Sequence, residues 1–75
     1  MEEIADRIVI DPGILSGKPV VKGTRIPVYL IIELLASGMT AGEILSQYPI
    51  LQKDDIKASL LYASKCLQNE ETIII

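Results

Sequence analysis

The stretch Gly17-Lys18-Pro19-Val20-Val21-Lys22-Gly23-Thr24-Arg25-Ile26-Pro27-Val28 excludes a continuous helix and asks for a short, tightly turned pair of extended segments. Pro19 and Pro27 fix φ and push Lys18 and Ile26 toward extended backbone. Gly17 and Gly23 open backbone angles that other residues avoid. Val20, Val21 and Ile26 suit a pleated, half-buried surface. The pattern predicts a hairpin with Lys22, Gly23 and Thr24 at or near its tip, and makes Gly17, Gly23 and Pro27 its structural turn residues. No acid occurs between Asp11 and Glu33, so Lys18, Lys22 and Arg25 have no counter-charge close in sequence. These three are the candidate partner-binding residues. Their alternatives are a solvated loop, docking onto a partner protein's acids, or contact with DNA phosphates. Arg25 has a further one, a clamp on an acid of its own chain such as Asp11, by a bidentate pair.

On either side of this segment the punctuation is clear. Ile8-Val9-Ile10 reads as a short strand ended by the turn signal Asp11-Pro12-Gly13. From Pro27, a residue suited to a first helical turn, the pattern becomes helical. Ser37-Gly38 ends that first helix, with Gly38 at the position after the cap. Thr40-Ala41-Gly42-Glu43 is a capping-box pattern that opens a second, short helix, stopped near Tyr48 by Pro49. Asp54 and Asp55 mark the start of a third helix that runs to about Gln68, with Ile56, Leu60, Ala63 and Leu67 as its core stripe. The expectation is one mainly α domain over 1–75: a strand and basic hairpin arm over 1–27, a three-helix bundle over 28–69, and an apolar tail over 70–75. The break at Tyr48-Pro49-Ile50-Leu51 has the length of a helix-turn-helix connection.

Helix 1 has eight apolar residues and one charge, Glu33, between Val28 and Ala36. A helix apolar on all sides asks for burial on all sides, and 75 residues supply too little protein to surround it. A homodimer is therefore expected, through Tyr29, Ile32 and Ala36. The tail residues Ile73, Ile74 and Ile75 are assigned to the same interface, added as a strand to a sheet edge.

The net charge of −3 argues against strong non-specific nucleic-acid binding. The start of the third helix carries Asp54 and Asp55, which repel phosphate, with Lys53, Lys57 and Ser59 as the early residues suited to DNA. Recognition of DNA by this helix is possible but not favoured. The chain has no His, and its single Cys, Cys66, has no candidate base beside it in sequence. Residues 17–23 lack the ending of a phosphate-binding loop. No enzyme activity, cofactor or metal is expected. The acidic first residues and the short apolar run Val28 to Ile32 give neither a signal peptide nor a membrane span, so a cytoplasmic protein is expected.

Asp11-Pro12-Gly13, Gly17-Lys18-Pro19 and Gly23-Thr24-Arg25-Ile26-Pro27-Val28, followed by Gly38, Glu43-Ile44-Leu45, Tyr48-Pro49 and Asp55-Ile56 through Ala58, resemble the bacterial family known as domain of unknown function 433. The likeness spans roughly residues 7 to 64 and departs at Gln52-Lys53, where that family tends to place a Thr as helix cap. Members are similar in fold to the homeodomain-like three-helix class, and many look like antitoxins encoded beside a PIN-like ribonuclease toxin. The resemblance thus implies an antitoxin-like protein that masks such a nuclease. The alternative is a DNA-binding regulator of helix-turn-helix type, acting alone or repressing its own operon.

Overall fold

The computed structural model describes residues 1–69. Three strands, β1 (Glu2–Ala5), β2 (Ile8–Ile10) and β3 (Val20–Val21), precede three helices, α1 (Val28–Ala36), α2 (Ala41–Gln47) and α3 (Lys53–Gln68). The strands form one antiparallel sheet in the order β1-β2-β3, so the domain is mixed α/β and not mainly α. β1 was not expected from its acidic sequence. It pairs Glu2 with Ile10, Glu3 with Val9 and Ala5 with Ile8, leaving Ile4 as a bulged residue.

The hairpin forms at the expected place. The Val21 N–H donates to the Ile26 carbonyl and the Thr24 N–H to the Val21 carbonyl, each at 3.0 Å. Gly23 takes φ +80° at the third position of that turn, where a type II turn requires a positive φ. The Thr24 hydroxyl donates to the Val21 carbonyl at 2.9 Å and accepts from the Ile26 N–H at 3.0 Å. Pro27 is not yet helical. It stays extended and bridges back to Val20, so α1 starts one residue later. The Val28 N–H, an otherwise orphaned helix donor, donates to the Pro19 carbonyl at 3.0 Å. Each hairpin end thus prepares the entry into α1.

The helices end as their sequences dictate. Gly38 and Met39 N–H groups donate to the Leu35 and Leu34 carbonyls, with Gly38 at φ +101°: a Schellman motif. Thr40 and Glu43 cap α2 reciprocally, at 3.0 and 3.1 Å. At α3 the Asp55 carboxylate accepts from the Gln52 N–H at 2.7 Å.

The strand and hairpin form a small sheet that shares its core with the three helices. Ile8 and Val21 are fully buried and pack with Val28, Ile31, Ile44, Leu51 and Ile56 into one core. Strand alternation and helix stripes therefore converge on a single apolar layer. The anticipated core stripe of α3 needs correction: Ile56 is buried, but Leu60 is 47 % and Leu67 67 % exposed. The fully buried face of α3 ends at Ser59, Tyr62 and Ala63 are partly covered, and the apolar spacing continues past them. No described helix is long and apolar enough to cross a membrane.

Candidate functional site

The three hairpin cations do not assemble into one basic surface. Lys22 donates to Glu3 of β1 at 2.9 Å, which keeps its ammonium charged to higher pH than usual. Lys18 lies over the ring of Tyr29, 5.5 Å from its centroid, a cation–π contact. Arg25 makes no ion pair among the described residues. Asp11, the acid offered as its clamp, instead accepts from the Gly13 N–H at 2.9 Å. The three cations line three different depressions.

The arginine that clamps its own chain is Arg7, which the sequence reading passed over. It sits at φ +64° in the turn joining β1 to β2. Its guanidinium donates to Asp55 at 3.0 Å and to the Gln52 side chain at 3.2 Å, and lies 3.5 Å from Asp54. The hydrogen bond to Asp55 raises the Arg7 pKa above its ordinary value, with the charges of Asp55 and Asp54 acting the same way against partial desolvation. Its place between Asp6 and the Ile8–Ile10 strand was the signal in the sequence, but its partner lies 48 residues away. The clamp commits the first turn of α3 to holding the sheet. Asp54, at 71 % side-chain exposure, leaves a negative charge there. Ser59, offered as a DNA-facing residue, is fully buried and donates to the Asp55 carbonyl at 2.8 Å.

Two surfaces remain with features of interaction sites. The first surrounds the hairpin tip: Arg25, Gly23 and Thr24 form one depression with Val9, Ile14, Ile26 and the 62 % exposed Ile50. Beside it, Leu15, Ser16 and Gly17 form a left-handed turn with φ of +50°, +57° and +82°. Left-handed backbone at Leu15 and Ser16 costs about 1–2 kcal/mol per residue, and such strain collects at functional segments.

The second surface lies between α1 and α3. Tyr29 is 48 % exposed and Ile32 partly buried; they meet Ala63 and Leu67. Ala36 is exposed on the same helix stripe as Tyr29 and Ile32. The assigned interface residues Ile73, Ile74 and Ile75 lie outside the described residues.

Residues 8–63 match the family model described as "Protein of unknown function (DUF433)". The chain belongs to the DUF433 family. A fellow sequence, the uncharacterized protein y4eO of Sinorhizobium fredii (strain NBRC 101917 / NGR234), is 38 % identical over 56 residues. That match covers 75 % of this chain and 25 % of the relative, so the chain spans about a quarter of the curated protein it resembles. Among solved structures, a DUF433 member from Anabaena variabilis is similar at 31 % identity and a TM-score of 0.78, covering 83 % of this chain and 61 % of that one. The DUF433 match begins at β2, so it takes in the whole hairpin and both candidate surfaces up to Ala63, while β1 with its Glu3 partner for Lys22 falls outside it. No cluster of three or more His, Cys, Asp or Glu suited to a metal occurs among the described residues.

Proposed function

We propose that this protein is an antitoxin-like, cytoplasmic binding protein that masks a PIN-like ribonuclease, and that the face around Arg25 is its docking surface. The observation that carries this reading is the placement of Arg25. It is the hairpin cation without an acid or aromatic partner among the described residues, held directly after the Val21–Thr24 turn and ringed by Ile14, Ile26 and Ile50. An arginine among apolar side chains is the composition of interface hot spots. A nuclease site built from carboxylates offers the planar, bidentate acceptor that a guanidinium suits. Apolar burial supplies affinity, and the single charge supplies register.

In this reading the protein acts by occlusion and carries out no chemistry itself. Helices α1–α3 then serve as a homeodomain-like unit of helix-turn-helix type, with residues 48–52 as the connection between α2 and α3, used as a scaffold for the hairpin.

The test is co-expression with a PIN-like nuclease encoded beside the gene, followed by co-purification and a ribonuclease assay. The expected result is a stable complex with the nuclease silenced. Arg25→Ala is expected to weaken the complex by about 2–5 kcal/mol, mainly through faster dissociation, with unchanged helicity by circular dichroism. Lys22→Ala is expected to change little, because Glu3 already holds that side chain. Failure to form a complex at micromolar concentrations overturns the proposal, as does an Arg25→Ala variant that binds like the parent. Salt-dependent DNA binding without nuclease capture would favour a transcriptional regulator instead.

A further inference from the structure

Six residues, Glu70-Glu71-Thr72-Ile73-Ile74-Ile75, follow the described residues in the sequence. Their chemistry is a pair of carboxylates followed by a β-branched run, which favours extended backbone. In an extended segment alternate side chains share a face. Glu71, Ile73 and Ile75 then fall on one side, and Glu70, Thr72 and Ile74 on the other. A surface that fits the first side offers one cation beside an apolar bowl, and no acid.

The depression at Arg25 has that composition. It holds about 470 Å³, and Arg25 is the one charged side chain that lines it, with Ile14, Ile26 and Ile50 around it. The other hairpin cations do not offer the same. Lys22 shares its depression with Glu3, Asp6 and Asp55, and Lys18 shares its own with Glu33. Like charges brought together repel, so an acidic segment is disfavoured at both. We propose that the Arg25 depression receives residues 70–75 of a second copy of this chain, with Glu71 at the guanidinium and Ile73 and Ile75 against Ile14, Ile26 and Ile50.

Reach selects a second copy over the same chain. α3 has 16 residues and is about 24 Å long at ~1.5 Å per residue. Ile50, on the rim of the depression, comes just before α3 begins, and residue 70 comes after α3 ends. Six extended residues span at most about 22 Å. A tail therefore runs out before it can lie across the depression of its own chain, whereas the tail of a second copy has no such limit. The contact is head-to-tail, with the site on one copy and the segment on the other.

The nuclease docks at the same depression in the reading above, so tail and nuclease compete for it. That competition rests on the masking reading; tail binding itself does not. Where both hold, self-association keeps the docking surface covered until a nuclease displaces the tail.

A fluorescently labelled peptide of residues 70–75, titrated with the full chain and followed by anisotropy, tests the proposal. Saturable binding is expected. Arg25→Glu and Ile50→Asp, both at exposed positions, are each expected to weaken it about tenfold or more with unchanged circular dichroism. A Glu71→Lys peptide is expected to bind the parent chain about tenfold more weakly and to regain affinity for the Arg25→Glu chain. That exchange requires the two side chains to meet. Ala63→Glu, which charges the face between α1 and α3, is expected to leave binding unchanged. No saturation at about 1 mM chain, the weak limit of specific binding, overturns the proposal. So does the absence of any gain in the charge exchange, or binding lost on Ala63→Glu and kept on Arg25→Glu and Ile50→Asp. Peptide binding without a nuclease complex leaves the tail site standing and removes the masking reading; a nuclease complex without peptide binding does the reverse.

Discussion

At the scale of the residue, Gly23 shows how one backbone angle shapes a larger surface. Its φ of +80° closes the turn that presents Arg25 on one side and sends Ile26 back to pair with Val21. No atom lies within 4 Å of where a Cβ would stand, so a side chain meets no steric obstacle from its neighbours. The cost of a substitution is therefore conformational. Gly23→Val is expected to destabilise the protein by about 1–2 kcal/mol or more, because a β-branched residue resists the left-handed region. The check is a urea denaturation midpoint; an unchanged midpoint would mean that the turn rearranges freely. Lys22, one residue earlier, shows the opposite lesson. Its sequence neighbourhood holds no acid, yet its charge is answered by Glu3 from the far strand.

At the scale of the element, α2 is a short helix that depends on its first turn. It has seven residues, too few for helix propensity alone to hold. Thr40 and Glu43 satisfy two of its orphaned groups. The Thr40 backbone N–H, and then its hydroxyl, hold the Glu43 carboxyl below its ordinary pKa. A folded-state pKa below the unfolded value contributes stability that is present above the unfolded value and lost as pH falls through the folded one. The cap is thus expected to weaken on acidification below about pH 4.3, the ordinary Glu value. Glu43→Gln keeps an acceptor for the Thr40 N–H and removes the titration. Its denaturation midpoint is expected to fall less steeply than the parent's between about pH 5 and 3, around that same value. Parallel pH profiles of the two proteins would refute this.

At the scale of the whole molecule, Arg7 is the tie between halves of the chain. From the β1–β2 turn it reaches Asp55, Gln52 and Asp54 at the start of α3, and Asp55 is itself buried and accepts the Gln52 N–H. Removing the guanidinium leaves a buried carboxylate short of a partner, and such losses exceed those at exposed pairs. Arg7→Ala is expected to lower the thermal midpoint clearly more than Lys22→Ala, whose pair is exposed on both sides. Because strands and helices share one core, unfolding is expected to remain a single transition followed by circular dichroism. Two separate transitions, or equal effects of the two substitutions, would show that the sheet and helices are not coupled through Arg7.

The local events were legible in the residues alone: the turn at Gly23, the stop at Gly38, the Thr40–Glu43 cap, the placing of Asp54 and Asp55 at a helix start, and membership of the DUF433 family. Each rests on residues within a few positions of one another, where backbone geometry and hydrogen-bond reach decide the outcome. Tertiary structure decided the rest. It made a strand of Glu2–Ala5, because β2 offered a free edge to pair with. It sent Lys18, Lys22 and Arg25 to separate surroundings, since alternate directions along an extended hairpin face different neighbours. It gave Arg7 a partner 48 residues distant. It also left Leu60 and Leu67 in the open although their spacing reads as core, because periodicity records which side of a helix is apolar, while burial depends on whether another element arrives to cover it.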